Sequence, residues 1–123
     1  LWLMTLPAPS PEVVAAVDGA VAWFERVALH GWRYERFVAD DGQRDGRIVA
    51  DPAAPPIWAR FYELRTMRPL FMGRDSVPRD SLAEIERERR AGYAYYGQRP
   101  ARVLAAYPAW KAALAAPPAA ALR

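Results

Sequence analysis

Apolar residues recur at helical spacing in three stretches of the chain. Residues 10–29 carry apolar side chains at intervals of three and four, and a Ser-Pro pair marks the start of this predicted helix. Residues 81–97 open with Ser-Leu-Ala-Glu, the pattern of a capping box, and are predicted to form a second helix that ends at a glycine. A third helix is predicted over 100–114, with an interruption at Pro108.

The segment between the first two helices has strand and turn patterns. Residues 32–39 favour β structure, and the Asp- and Gly-rich run 40–46 is typical of a hairpin turn. Residues 57–63 alternate in polarity and are rich in aromatic side chains. With the apolar run that begins at residue 69, they are predicted to form a second hairpin centred near Met67.

This second hairpin is the candidate binding site. A centre near Met67 places Arg60 opposite Arg74, and Trp58 and Tyr62 share the face of Arg60. Two arginines beside aromatic rings suit a carboxylate or a phosphate, because guanidinium forks bind such groups in bidentate fashion. The sequence leaves open a second interpretation, in which carboxylates of the fold neutralise both arginines. The candidates for that role are Asp51, Glu63 and Asp75.

Composition excludes several kinds of site. The chain has 123 residues, of which 53% are hydrophobic and 25% are charged, as expected for one domain with a modest core. It has no Cys and a single His, His30, which excludes disulfides, thiolate chemistry and any metal site that needs two histidines. Sixteen of the 17 basic residues are Arg, which suits an anionic partner, although GC-rich coding gives the same bias without any function.

Nucleic acid and membrane are both disfavoured as partners. The pI is about 9.6, but the arginines are interleaved with acids and no predicted helix carries a continuous basic stripe. No apolar run approaches the roughly 20 residues that a membrane-spanning helix requires. We therefore expect neither partner.

Three carboxylates within residues 40–46 raise the question of a calcium loop. The run lacks the glutamate that closes an EF-hand, and Arg44 lies among the would-be ligands. A polar hairpin turn is the better interpretation, and we expect no metal ligands in this chain.

Three segments resemble the C-terminal part of the pectate lyases of polysaccharide lyase family 10. They are SPEVVAAVDGAVAWFERV, PPIWARFYELRTMRPLFMGRD and SLAEIERERRAGYAYYG, in the family order, and together they cover most of residues 10–114. The middle segment is the specific one, because IWARFYEL followed by RPLFMGRD is not a matter of general composition.

The resemblance implies a function and a fold. Family members cleave polygalacturonate by β-elimination, with a calcium ion on the uronate carboxylate and an arginine as the base. By motif alignment, Arg60 and Arg74 match substrate-binding arginines, with Trp58 and Tyr62 beside them. The implied fold is mainly α, a portion of an α/α toroid with a short β-hairpin and irregular segments between helices.

The resemblance also implies which part of the enzyme the chain forms and where the protein acts. Residues 1–114 are expected to be the C-terminal part of the catalytic domain, and 115–123 a low-complexity, disordered tail. We expect a secreted or periplasmic monomer that acts on pectate oligosaccharides. A non-catalytic module that binds acidic polysaccharide is the alternative, and a basic nucleic-acid-binding domain is the third interpretation.

In the family, the catalytic arginine and the calcium ligands lie upstream of the segment that corresponds to Leu1. We therefore expect the 123-residue chain alone to give no turnover of polygalacturonate. The measurement is the ultraviolet absorbance of the unsaturated product, and its appearance with the isolated chain would contradict this expectation.

Overall fold

The computed structural model describes residues 1–117, which combine helices with short antiparallel sheets. The chain divides into two compact units, Val27–Arg99 and a second unit of Leu1–Arg26 with the residues from Pro100 onward. The helices are α1 (Pro11–Val27), α2 (Arg87–Gly92) and α3 (Arg99–Ala115), with 3-10 turns at Trp2–Thr5 and Leu82–Glu84. The strands are β1 (Trp32–Val38), β2 (Arg44–Ala50), β3 (Trp58–Ala59), β4 (Phe71–Met72), β5 (Pro78–Arg79) and β6 (Tyr96–Gly97).

The longest strands form the hairpin β1–β2 in the unit Val27–Arg99. They pair antiparallel from Trp32 opposite Ala50 to Val38 opposite Arg44. The turn falls in the predicted Asp-Gly run: Gly42 has φ +78°, and a side-chain oxygen of Asp41 accepts the N–H of Gln43 at 3.0 Å. Asp–Gly chemistry suits this turn because glycine takes a positive φ without steric cost.

Two smaller sheets lie in the same unit. β3 pairs with β6 and β4 pairs with β5, each over two residues. A core cluster of four buried side chains packs beside these strands: Phe71, Leu82, Ile85 and Tyr95. The hydroxyl of Tyr95 donates to the carbonyl of Met72, so its one polar group is satisfied within the fold.

A buried ion pair joins the hairpin to α2. Asp45 on β2 is 6% exposed, and both its carboxylate oxygens accept from Arg90, at 2.9 and 2.8 Å. The guanidinium of Arg90 and the N–H of Gly46 hold the pKa of Asp45 down at about 2. The hydroxyl of Tyr34 on β1 donates to the carbonyl of Arg90 at 2.6 Å, which fixes α2 to both strands.

The other unit contains α1 and most of α3. Asp18 on α1 accepts from the Tyr107 hydroxyl at 2.8 Å and from Lys111 Nζ at 2.5 Å, and both donors lie on α3. These hydrogen bonds lower the pKa of Asp18. The predicted break at Pro108 is wrong, because α3 runs without interruption through that residue. No helix within residues 1–117 is long and apolar enough to cross a membrane.

The expectation of a mainly α fold that forms part of a toroid is wrong. Among residues 1–117, helix accounts for 40% and strand for 22%, and the sheets are small and antiparallel. The main cause is the segment 81–97: Ser81 and Glu84 do form a capping box, but it closes a single 3-10 turn. Ile85 is extended, α2 has six residues, and the chain then leaves the helix to pair with β3.

The predicted disordered tail lies mostly outside the described residues. Ala115 is the last residue of α3, and residues 118–123 are not described, so this part of the expectation stays a prediction.

The low pKa of Asp45 predicts a pH dependence of folding. A carboxyl with pKa about 2 when folded and 3.8 when unfolded contributes roughly 2 kcal/mol of stability above about pH 5. That contribution is lost as the pH falls towards 2. The free energy of unfolding of Asp45→Asn should therefore be well below that of the wild type at pH 7, and the difference should shrink on acidification. Denaturant titrations across this pH range measure it.

Asp40→Asn is the matched control, since Asp40 is an exposed carboxylate near the same hairpin turn. It should change stability little. A gap between wild type and Asp45→Asn that stays constant from pH 7 to about pH 2 would contradict the assignment.

Gly46 is predicted to be intolerant of a side chain. A Cβ at this position would overlap the Tyr34 hydroxyl and lie 2.8 Å from the Arg90 carbonyl, both of which hold α2 to the hairpin. Gly46→Ala should lower the free energy of unfolding by about 1–3 kcal/mol, as overpacking does. Gly19→Ala is the control: no atom lies within 4 Å of its Cβ position on α1, and helix propensity predicts a gain of about 0.5–1 kcal/mol. Equal effects of the two changes in thermal melts would refute the steric explanation.

Candidate functional site

The predicted second hairpin exists in a different register. The carbonyl of Arg68 accepts the N–H of Glu63 at 2.9 Å, and Tyr62 forms a β-bridge with Pro69. Tyr62 therefore pairs three residues earlier in the chain than the predicted register requires. The cause is Glu63, whose carboxylate accepts the N–H groups of Arg65 and Thr66 at 3.0 and 2.6 Å. Met67 completes the turn with φ +54°. Arg60 and Arg74 are therefore not cross-strand partners.

Arg74 follows β4 and is bound by two acids, Glu86 directly before α2 and Glu88 within it. Its side-chain nitrogens donate to both oxygens of Glu88, at 2.7 and 2.6 Å, and its backbone N–H donates to Glu86 at 2.6 Å. Gly73 permits this approach, because a Cβ there would overlap the Glu86 carboxylate. The pair with Arg74 lowers the pKa of Glu88 and raises that of the guanidinium.

The carboxylates that the sequence offered as partners of the two arginines have other partners. Asp51 pairs with Arg33 at 3.2 Å, and Asp75 pairs with Arg79 at 2.8 Å. Glu63 caps the turn described above and lies 3.6 Å from the guanidinium of Arg65. Glu88 was missed because it lies in a charged run that reads as a solvated helix face.

Arg60 lies beside β3, and its guanidinium is exposed on an aromatic surface. Its backbone N–H donates to the Tyr95 carbonyl at 2.7 Å, which continues the β3–β6 pairing. The guanidinium carbon lies 4.6 Å from the centre of the Tyr93 ring and 5.8 Å from that of Phe61. Among residues 1–117, no carboxylate lies within 4.0 Å of it.

Trp58 and Tyr62 support the strand that carries Arg60. Trp58 is 4% exposed within β3. The Tyr62 hydroxyl accepts the N–H of Ala59 at 2.9 Å and donates to the carbonyl of Val27 at 3.1 Å, and burial raises its pKa. A stacking role of these two rings in binding stays a prediction. The open aromatic surface next to Arg60 is formed by Tyr93 and Phe61.

Two residues of this surface were missed by the sequence analysis. They are Tyr93 and Arg89, neither of which was a candidate site residue. The guanidinium of Arg89 also lies 4.6 Å from the centre of the Tyr93 ring. The sequence carried one signal for the contact: Arg89 and Tyr93 are four residues apart, the spacing of neighbours on a helix face.

The arrangement suits an anion and not a metal ion. Among residues 1–117, no group of three carboxylate, His or Cys side chains is placed to hold a metal. The exposed guanidinium of Arg60 and the fork of Arg74 both offer N–H donors for carboxylates. Comparison with known proteins identifies the family of the chain.

The sequence profile of the pectic acid lyases matches residues 1–104. The chain belongs to the pectic acid lyase family. The resemblance stated from the sequence is thereby confirmed. No curated protein matches the chain.

Solved structures of this pectic acid lyase family give the same assignment. One is the family 10 polysaccharide lyase from Cellvibrio cellulosa, with a TM-score of 0.74 and 30% identity over 89% of this chain and 33% of that one. A mutant of the same lyase, in complex with trigalacturonic acid, has a TM-score of 0.70 and 31% identity over 85% and 31% of the two chains. The present chain thus spans about a third of the length of these structures.

Proposed function

We propose that the protein containing this chain is a pectate lyase and that the chain supplies arginines for the carboxylates of polygalacturonate. The observation that carries the proposal is the guanidinium of Arg60, exposed on the Tyr93 ring and without a carboxylate partner among residues 1–117. Family membership and the trigalacturonic acid bound by a structural neighbour support uronate as the ligand.

Arg60 is prepared for a carboxylate in two ways. Its backbone is fixed by the hydrogen bond to Tyr95, and its guanidinium is held by cation–π contact with Tyr93. Less side-chain freedom is therefore lost when a ligand binds, and the exposed N–H donors remain available. A uronate carboxylate supplies the counter-charge that the described part of the chain lacks.

Arg74 already displays the geometry that a uronate carboxylate would use. Glu88 occupies its fork through two charge-assisted hydrogen bonds. Both side chains are largely exposed, 68% and 59%, so water screens the pair, and a carboxylate of a polymer already held at Arg60 can replace Glu88. We therefore keep Arg74 in the proposed site, with substrate replacing Glu88.

The elimination chemistry is not assigned to residues of this chain. The calcium ion that the resemblance implies needs several oxygen ligands, and residues 1–117 present no such cluster. We derive no step through calcium and identify no catalytic base here. The role proposed for this chain is to bind and orient the anionic polymer.

Binding measurements on Arg60 and Arg74 test the proposal. Arg60→Ala and Arg74→Ala should each weaken the affinity for trigalacturonate about ten-fold or more, because each removes a charge-assisted contact. Isothermal titration measures the affinity, and melting curves report stability alongside. Arg36→Ala is the matched control, since it removes an exposed arginine of β1 and should leave the affinity unchanged.

The competing functions give different results in the same assay. A nucleic-acid-binding domain would bind DNA more tightly than oligogalacturonate at matched salt. A non-catalytic module would bind oligogalacturonate, but the complete protein would release no unsaturated product from polygalacturonate. Unchanged affinity in both arginine variants, with lowered stability, would refute the proposed role of this chain.

A further inference from the structure

Two arginines share one aromatic ring beside the proposed site. The guanidinium carbons of Arg60 and Arg89 each lie 4.6 Å from the centre of the Tyr93 ring. The two arginines come from separate parts of the unit, since Arg60 borders β3 and Arg89 lies in α2. Phe61 stacks on the same ring, with an angle of 13° between the ring planes and 6.5 Å between centres.

Arg89 makes no salt bridge within the described part of the chain. No carboxylate of residues 1–117 lies within 4.0 Å of its guanidinium. Its Nε is buried and has no hydrogen-bond partner there. The side chain as a whole is partly buried. Its charge lies against the Tyr93 ring and also acts on Glu88 through space, without a hydrogen bond to that carboxylate.

The acids around Arg89 are already paired with other arginines. Glu88, its neighbour in sequence, forms a salt bridge with the guanidinium of Arg74. Asp45 pairs with Arg90, and Asp41 pairs with Arg87. The fold therefore forms salt bridges with the arginines on each side of Arg89 and forms none with Arg89, which shares the Tyr93 ring with Arg60.

Such an arrangement favours an external anion. Burial of the Nε–H of Arg89 without an acceptor is unfavourable, and a second guanidinium on the same ring adds repulsion. A carboxylate placed beside the ring offsets both costs, because it accepts hydrogen bonds and reduces the repulsion between the cations. A polyuronate carries one carboxylate on each free sugar unit and can therefore meet both arginines.

We propose that Arg89 is a further carboxylate-binding residue, which acts with Arg60 around the Tyr93 ring to hold a polyuronate chain. The inference rests on the proposed function. It adds a third arginine to Arg60 and Arg74, which motif alignment identifies. It also implies that Arg60 and Arg89 together distinguish a free uronate from its neutral methyl ester.

The test compares trigalacturonate with its fully methyl-esterified form on the complete protein. Arg89→Met and Arg89→Gln both remove the charge while keeping most of the side-chain length, so that one neutral variant suffices if the other does not fold. Each should weaken binding of the acid about ten-fold and leave binding of the ester unchanged. The slope of log affinity for the acid against log salt should also become shallower, because one charge–charge contact is removed.

Two further variants complete the experiment. Arg89→Lys keeps the charge and should recover part of the preference for the acid over the ester. Arg102→Ala removes an exposed arginine of α3 and should change neither affinity nor slope.

The outcomes separate this inference from the proposed function. Loss of acid and ester binding by the same factor, or unchanged acid binding in a folded Arg89 variant, would overturn the role of Arg89. If Arg60→Ala still weakens acid binding in that case, the proposed function stands. A wild type that binds trigalacturonate no better than the ester would overturn both.

Discussion

The buried pair between Asp45 and Arg90 fixes the segment on which the proposed site depends. It joins β2 to α2, and the hydroxyl of Tyr34 adds a second tie to the same helix. Once Arg90 is fixed, the residues on either side of it have defined positions: Glu88 meets Arg74, and Tyr93 lies against Arg60. The pairing of Asp45, which lies outside the three segments of the resemblance, with Arg90 thus positions the acid and the ring that Arg74 and Arg60 contact.

The charged side chains of residues 86–90 therefore contact other parts of the fold and do not form a solvated helix face. Alternating charges in a helix pattern ordinarily indicate solvent exposure, and that interpretation fails here because α2 is only six residues long. Each member of the run has a separate task. Glu86 accepts the backbone N–H of Arg74, Arg87 pairs with Asp41, Glu88 with Arg74 and Arg90 with Asp45, and Arg89 lies over the Tyr93 ring. Local charge pattern does not reveal these partners, because they lie 12 to 46 residues away.

Local signals in the sequence predicted local features well. The start of α1, the Asp-Gly turn and the Ser81 capping box all form where their residue types indicate. The family also followed from a short segment, IWARFYEL with RPLFMGRD. The hairpin register did not follow, because a single carboxylate, Glu63, closes the turn early. The mainly α fold failed for a related reason: β3 recruits residues 96–97, and tertiary pairing outweighs helix propensity there.

The pair between Arg74 and Glu88 acts as an internal competitor for any ligand of that arginine. A carboxylate tethered by the fold has a high effective concentration at the fork, so a free monovalent acid displaces it poorly. A polymer held at the same time by Arg60 presents its own carboxylate at a comparable effective concentration and can compete. Under the proposed function, Glu88 therefore makes occupancy of Arg74 depend on attachment of the ligand at several points, which would favour long polyuronate chains over short ones.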